Sequence, residues 1–558
     1  MPLTESLSAL LRSAAYPHAC DPIELVETHI SWVLLTGDFA YKLKKPVRFP
    51  FVDFSTLDRR AHFCREELRC NRAFAPDLYL DVVPVTRGAS GEVEMAGTGD
   101  VLEWAVKMQQ FPPQRQLDRL LAADGVSVAM LRDFGARLAA QHQALPSLYL
   151  NADADLEQEL QQRVASPIEG NFDILGDQPL TDQQNQQLML CARAARADLL
   201  ALRKRILNRL AGGFVRECHG DLHLSNLVDL EGVVTAFDCL EFNPNLRWID
   251  TVSDIAFLFM DCLVRGRADL GYAFIDGYMD TTGDYEGLVL LPFFAAYRSM
   301  VRAKVAALQL AQVGDDPDSR SRLVGRLDAH LDWGARRSQR GAPKQGSKGP
   351  PASPLLVLMC GLSGSGKSYV ATRLVPQLGA LRLRSDVLRK TQAGQAGQVG
   401  DASQAAEVQE ADSGSSLDQG RYVAERVEAV YASLADLSVQ LLRAGETVIL
   451  DATFLSARRR RMLLELAGLE NVPAVVAYCD APLDVLRGRV ASRAAKGDDA
   501  SEAGLPVLEA QRQRFEEPQR PEPVLRVDTD GDLDIASLAA RLRAVGAQAT
   551  SGGSPSPG

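Results

Sequence analysis

The chain has 558 residues, 46% of them apolar and 24% charged, and a formal net charge of −11. That length exceeds what one hydrophobic core supports, so more than one domain is expected. The acidic balance argues against nucleic acid or an anionic membrane as the main partner, and the longest apolar runs, such as Ile255–Met260, fall far short of the ~20 residues of a membrane span.

Nine cysteines without a CxxC pair give neither a disulfide framework nor a zinc site, and read as small core residues in a reducing compartment. The first residues show no basic region followed by an apolar core, so no signal peptide is expected and the location is read as cytoplasmic.

The first half opens with β-prone runs at residues 23–29, 31–35 and 39–44, the last two joined by the hairpin signal Thr36-Gly37-Asp38. A helical stretch over 57–75 follows, then strands at 80–85 and 101–108. Beyond Leu117 the pattern is mainly helical, over 126–144, 181–210 and 291–312. A small sheet-rich lobe followed by a larger helical lobe is one layout of a kinase-like domain.

Within the helical part, His219-Gly-Asp-Leu-His-Leu-Ser-Asn226 is followed by Asp238 at the end of the run Val233–Phe237. Phosphoryl transfer needs a carboxylate to orient the acceptor hydroxyl, plus an amide oxygen and a second carboxylate to hold Mg²⁺ on the phosphates. Asp221, Asn226 and Asp238 supply those three groups.

Residues 337–353 are polar and rich in Gly, Pro and Ser, the composition of a flexible linker. The apolar run Leu355–Met359 then leads into Gly361-Leu-Ser-Gly-Ser-Gly-Lys-Ser368, which is G-x-x-x-x-G-K-S in a strand–loop–helix context. Gly361, Ser363, Gly364, Ser365 and Gly366 allow backbone N–H groups to turn inward around phosphate oxygens. Lys367 would neutralise their charge, and the Ser368 hydroxyl would sit on Mg²⁺.

Strands at 355–359, 447–450, 474–478 and 524–527 alternate with helices at 367–377, 422–444, 483–495 and 535–545, a pattern that predicts a parallel sheet covered on both faces. Arg384-Ser-Asp386, with Arg389 beyond it, places an acid that could take a proton from an acceptor hydroxyl beside arginines that could fix an anion. Thr447–Thr453 is a strand ending in Asp451, where an acid can hold the Mg²⁺ shell. Arg489 and Arg493 share a helix face and could clamp phosphates from a lid. The run Arg458–Arg461 points around its helix and reads as a solvated basic face. The acidic, small-residue stretch 392–420 is expected to be a mobile insert, and 547–558 a disordered tail.

The HGDxxxxN loop with its strand-end aspartate resembles the aminoglycoside phosphotransferase and choline kinase branch of the protein-kinase-like fold. That resemblance implies Asp221 as catalytic aspartate, Asn226 and Asp238 as metal ligands, and His219 as a residue that shapes the loop. It implies Lys42, in Ala40-Tyr-Lys42, as the ATP lysine, with Lys44 on the same strand face as the alternative. Glu67 would be its partner, with Glu66 the alternative, and Gln109 and Gln110 would form the hinge that meets adenine. Asp250 and Asp254 resemble the family's D-x-A helix start and read as structural caps. No glycine-rich lid is visible between Ile23 and Lys42, where Gly37 is the only glycine.

The stretch from Pro354 to Val545, through GLSGSGKS, RSD, VILDATF and LRGRVASR, resembles the small P-loop and AAA-type kinases that include polynucleotide kinase, chloramphenicol phosphotransferase, gluconate kinase and zeta toxin. That resemblance implies that Lys367 and Ser368 bind ATP and Mg²⁺, that Asp386 is the general base, that Asp451 supports metal or substrate, and that Arg489 or Arg493 forms the lid. Together the two halves look like a bacterial fusion of an aminoglycoside-phosphotransferase-like domain (1–336, α+β and two-lobed) with a P-loop NTPase kinase domain (354–546, α/β). The expected activity is ATP-dependent phosphoryl transfer to small hydroxyl-bearing acceptors, one site per domain. The other reading is a nucleotide-responsive regulator with a pseudokinase first half.

Overall fold

The computed structural model describes residues 5–551 apart from 21, 50, 51, 90, 151–153, 315, 340–353, 400–416 and 497–503. The chain forms two compact units. One comprises Met1–Val264 with Phe293–Gly334, the other Arg265–Pro292 with Ala335–Gly558. The sequence suggested a first domain running unbroken through residue 336, whereas the segment Arg265–Pro292 packs with the second unit.

The first unit begins with strands β1 (Glu24–Glu27), β2 (Ser31–Leu35) and β3 (Phe39–Lys44), then helix α1 (Leu57–Arg72), and then β4 (Tyr79–Arg87), β5 (Val93–Met95) and β6 (Asp100–Gln109). The six strands form one antiparallel sheet in the order β1-β2-β3-β6-β4-β5. Strand alternation sorts β3. Tyr41 and Leu43 enter a core with Trp32, Leu34, Val85 and Ala105, which turns Lys42 and Lys44 to the opposite face, toward α1. Thr56 caps α1, its hydroxyl accepting from the Arg59 N–H.

The helical part of this unit contains α2 (Val128–Ala144), α3 (Asp182–Ala211) and α4 (Thr251–Val264). In α4 every side chain from Thr251 to Cys262 is buried. Before α4 lie β7 (Val215–Glu217), the antiparallel hairpin β8 (Leu227–Leu230) and β9 (Val233–Ala236), and β10 (Trp248–Asp250), which pairs with β7. The loop 219–226 is thus held between β7 and the hairpin.

The second unit opens with α5 (Ala268–Thr282); the chain then makes α6 (Leu291–Gln312) and α7 (Pro317–Ser338) before the sheet begins. The sheet comprises β11 (Leu356–Cys360), β12 (Ala380–Arg384), β13 (Thr447–Asp451), β14 (Ala474–Asp480) and β15 (Val524–Asp528), all parallel, in the order β12-β13-β11-β14-β15. Helix α8 (Lys367–Leu378) follows β11, and α9 (Ser385–Val399) follows β12. Later come α10 (Leu417–Arg443), α11 (Ala457–Leu469), α12 (Leu483–Lys496) and α13 (Ile535–Ser551). β12, the edge strand ending at Arg384, was not legible as a strand in the sequence.

Four expectations meet a different outcome or fall outside the described residues. Of the stretch expected to be a mobile insert, residues 392–399 continue α9 and 417–420 begin α10, while 400–416 lie outside the described residues. The expected tail overlaps α13 through Ser551, with 552–558 outside the described residues, as are 340–353 of the expected linker. Arg460, expected on a solvated face, is fully buried; it donates to the Phe454 carbonyl and pairs with Glu522. All nine cysteines are buried free thiols.

Candidate active sites

In the first unit, Lys42 Nζ lies 2.7 Å from Glu67 Oε1 and 2.5 Å from Asp238 Oδ1. Residues from β3, α1 and the end of the β8–β9 hairpin therefore meet at one ammonium. Lys44 reaches the other Glu67 oxygen at 2.5 Å and also pairs with Glu241, and its side chain is fully buried. Glu67 serves both lysines, while Glu66 pairs with Arg69 instead. Between the two lysines, Lys42 is the one that reaches Asp238, whose side chain is 44% exposed. Burial alone would lower the Lys42 ammonium, but Asp238 and Glu67 outweigh it and raise it well above the usual lysine range.

Asp238 has φ +61°, a left-handed conformation that is strained for a residue with a Cβ. Its backbone N–H donates to the Tyr79 hydroxyl at 3.0 Å, which helps hold it there. Asp221 and Asn226 face each other across the loop. Asn226 Nδ2 donates to the Asp221 carboxylate at 3.1 Å and to its carbonyl at 3.0 Å, leaving the amide oxygen as the atom suited to a cation. Burial would raise the Asp221 carboxyl, yet His223, at 3.4 Å, together with Arg302 and His219, drives it below the ordinary aspartate range.

The loop's shape comes from α4. Both oxygens of Asp254 accept from loop amides, those of His219 at 3.1 Å and Gly220 at 2.8 Å. His219 is buried and its Nε2 lies 2.9 Å from the Phe237 carbonyl oxygen. Asp250 instead holds Arg209 at 2.6 and 2.9 Å, so both aspartates brace the loop's surroundings.

At the expected hinge, the Gln109 N–H donates to the Leu78 carbonyl and the Gln110 N–H to the Asp38 carbonyl. The β1–β2 turn carries no glycine; Lys45 Nζ fastens it, donating to the Thr28 carbonyl at 2.6 Å and to Glu27 at 3.0 Å. Glu241 and Arg302 were missed in the sequence because nothing in their local pattern marks them; His223 was passed over because it stands at a variable position of the HGDxxxxN loop.

In the second unit the phosphate loop leaves the C-terminal end of the central strand β11, and Asp451 ends the adjacent strand β13. This is where ligands bind in open parallel sheets. Gly361, Gly364 and Gly366 all have positive φ. A Cβ at Gly364 would stand 2.7 Å from the Leu486 carbonyl oxygen, so the position needs glycine on two grounds. The Ser363 N–H donates to Gln511 Oε1 at 2.9 Å, whereas the buried Ser365 hydroxyl has no hydrogen-bond partner. Lys367 folds back onto its own loop, donating to the Leu362 carbonyl at 2.8 Å, and burial lowers its ammonium.

Ser368 Oγ donates to Asp451 Oδ1 at 3.1 Å, a hydroxyl–carboxylate pair of the kind that holds Mg²⁺ beside a phosphate loop. Asp386, in the first turn of α9, is raised by burial and by Asp451, against the pull of Arg389 and Arg384. Arg489, on α12, donates to the Gly364 carbonyl at 3.4 Å and the Thr529 carbonyl at 2.7 Å, at the rim of the phosphate loop. Arg493 is part-buried one turn further along α12. Sequence reasoning missed Arg382, a charged residue on an otherwise apolar strand, whose Nη1 donates to Asp451 Oδ2 at 3.2 Å.

Residues 356–518 match the AAA domain family. The matched stretch holds the phosphate loop and its Ser368–Asp451 pair. An uncharacterized protein of Mycobacterium tuberculosis is 27% identical over 509 residues, covering 87% of this chain and 90% of its own length. A choline/ethanolamine kinase family protein from Mesorhizobium loti is 14% identical, with 59% of this chain and 98% of that one covered and a TM-score of 0.35. The Mycobacterium tuberculosis APS kinase, solved with AMPPNP and APS, is 21% identical over 35% of this chain and 98% of its own, with a TM-score of 0.23. Among the described residues no helix is long and apolar enough to cross a membrane.

Proposed function

We propose that this chain is an ATP-dependent phosphotransferase with one site in each unit, each acting on a small hydroxyl-bearing acceptor. The observation that carries the reading is the meeting of Lys42 with both Glu67 and Asp238, because three segments distant in sequence converge there on the group that a nucleotide's phosphates require. In the second unit the same reading rests on the positive-φ glycines, Lys367 and the Ser368–Asp451 pair.

The donor sets suit Mg²⁺, a hard cation that takes oxygen ligands: Asn226 and Asp238 in the first site, Ser368 and Asp451 in the second. When bound, Mg²⁺ would offset phosphate charge. Within the chain's own residues, Asp221 in the first unit, its carboxyl held low by His223 against the effect of burial, would orient an acceptor hydroxyl and take its proton. Asp386, with its raised carboxyl, has the same role in the second, and Lys42 and Lys367 bind phosphate oxygens. Arg489 supports the phosphate loop from outside, and Arg493 is the lid candidate. The buried free thiols suit a reducing, cytoplasmic setting.

A regulatory reading has one observation in its favour: the first unit's β1–β2 turn lacks glycine and is fastened by Lys45. Asp221→Asn in the full chain separates the two. As an enzyme, transfer from γ-labelled ATP to a metabolite pool should lose its Lys42-dependent product by ~10²-fold or more with nucleotide affinity little changed. A regulator would give no Lys42-dependent product in the unaltered chain.

A further inference from the structure

Arg382 is the most heavily engaged charged side chain near either site. Its Nε and Nη2 donate to the two oxygens of Asp276 at 2.8 and 3.2 Å, and Nη2 also donates to Asp280 at 2.7 Å. Its remaining nitrogen, Nη1, donates to Asp451. Arg384 Nη1 meets the other Asp280 oxygen at 3.1 Å. Arg382, Asp276 and Asp451 are almost wholly buried, while Asp280 is 18% exposed. Asp276 and Asp280 stand four apart on α5 and so share one face of that helix.

We infer that Asp276 and Asp280 are positioning residues of the second nucleotide site, acting through Arg382 on Asp451; the inference rests on the proposal that Ser368 and Asp451 hold the nucleotide's cation. The argument is one of geometry and of charge. A guanidinium is a planar fork, and the two-point grip of Asp276 fixes its plane. One nitrogen is thereby aimed at Asp451 Oδ2, and Oδ1 stays turned toward Ser368.

Without the two acids, Arg382 and Arg384 would face Asp451 alone and neutralise it. With them, the two guanidiniums are shared among three carboxylates, so Asp451 keeps more of its negative charge for a cation. Tyr272 from the same helix donates to the buried Glu446, just before β13, and Tyr285 accepts from the Arg384 N–H at the end of β12, so α5 and the residues after it are tied to the two strands that carry Asp451 and Arg382. The P-loop kinase site therefore includes a helix that lies far before its phosphate loop in sequence.

The test uses the full chain and a non-hydrolysable ATP analogue titrated with MgCl₂. The second site is read as the binding lost in Lys367→Ala. Asp280→Asn is nearly isosteric, and it leaves the Asp276 grip in place. It should raise the Mg²⁺ concentration for half-maximal binding by about tenfold, the size of effect seen when partners behind metal ligands are removed. Binding without Mg²⁺ should stay unchanged, while the lost carboxylate of a largely buried ion pair lowers the melting temperature. In an Arg382→Met background the same substitution should add less, because only the weaker path through Arg384, whose Nε stands 3.8 Å from Asp451, is left. Should Asp280→Asn fail to fold, the conservative Asp280→Glu should show a smaller shift of the same kind. An unaltered Mg²⁺ midpoint, or equal losses with and without Mg²⁺, would overturn the positioning role while leaving the nucleotide site standing. If the unaltered chain shows no Lys367-dependent binding, the site proposal fails and takes this inference with it.

Discussion

Lys42 and Lys44 share one carboxylate: Glu67 gives Oε1 to the first and Oε2 to the second, at 2.7 and 2.5 Å. Only Lys42 goes on to Asp238; Lys44 turns inward to Glu241. The two lysines should therefore fail in different ways. Lys42→Ala should weaken nucleotide binding at the first site while the fold persists. Lys44→Ala leaves two buried carboxylates facing each other and should cost about 3–5 kcal/mol of stability. All four tryptophans (Trp32, Trp104, Trp248 and Trp333) lie in the first unit, so tryptophan fluorescence during unfolding reads that unit alone.

The same cluster predicts a pH dependence. Burial would raise the Glu67 carboxyl, but Lys42 and Lys44 together bring it below its ordinary value of 4.5. A carboxyl held low in the folded state adds stability that is complete above the unfolded value and is lost as the pH falls through the folded one. The tryptophan-detected melting temperature should therefore drop progressively below about pH 4.5. Glu67→Gln should lower it at pH 7 and flatten that acid dependence. A variant as steep in acid as the unaltered chain would remove Glu67 from the account.

Much of this was legible in the sequence, for reasons that particular residues show. Motifs whose chemistry fixes their spacing, such as Gly361–Ser368 and His219–Asn226, could be placed without a structure. Strand parity put Lys42 and Lys44 on one face but could not choose between them, because the choice depends on Asp238, which arrives from the β8–β9 hairpin. At Gln109 and Gln110 the N–H groups are spent on Leu78 and Asp38, a pairing local pattern does not encode. Arg460 looked like one of four solvated arginines, and its burial depends on Glu522, far along the chain. Arg382 was invisible for the same reason, since its partners stand on α5.

The phosphate loop offers a steric prediction. Gly364 has φ +82°, and a Cβ there would press on the Leu486 carbonyl oxygen at 2.7 Å. Gly364→Ala should cost of order 1–3 kcal/mol in backbone strain and open the loop's cradle. Lys367-dependent nucleotide binding should fall by about tenfold or more, which corresponds to at least ~1.4 kcal/mol. Calorimetric titration with an ATP analogue checks this; Gly468→Ala, at a helical position with open space around it, serves as the control.

The central claim is that each unit carries its own phosphotransfer site. It is tested most directly by incubating the full chain, Lys42→Ala, Lys367→Ala and the double variant with γ-labelled ATP and a metabolite pool, and resolving the labelled products. The account predicts two sets of labelled products, one lost in each single variant and both lost in the double variant. Products that all survive Lys42→Ala and all vanish in Lys367→Ala would contradict it, leaving a single enzyme site beside a kinase-like unit that transfers nothing.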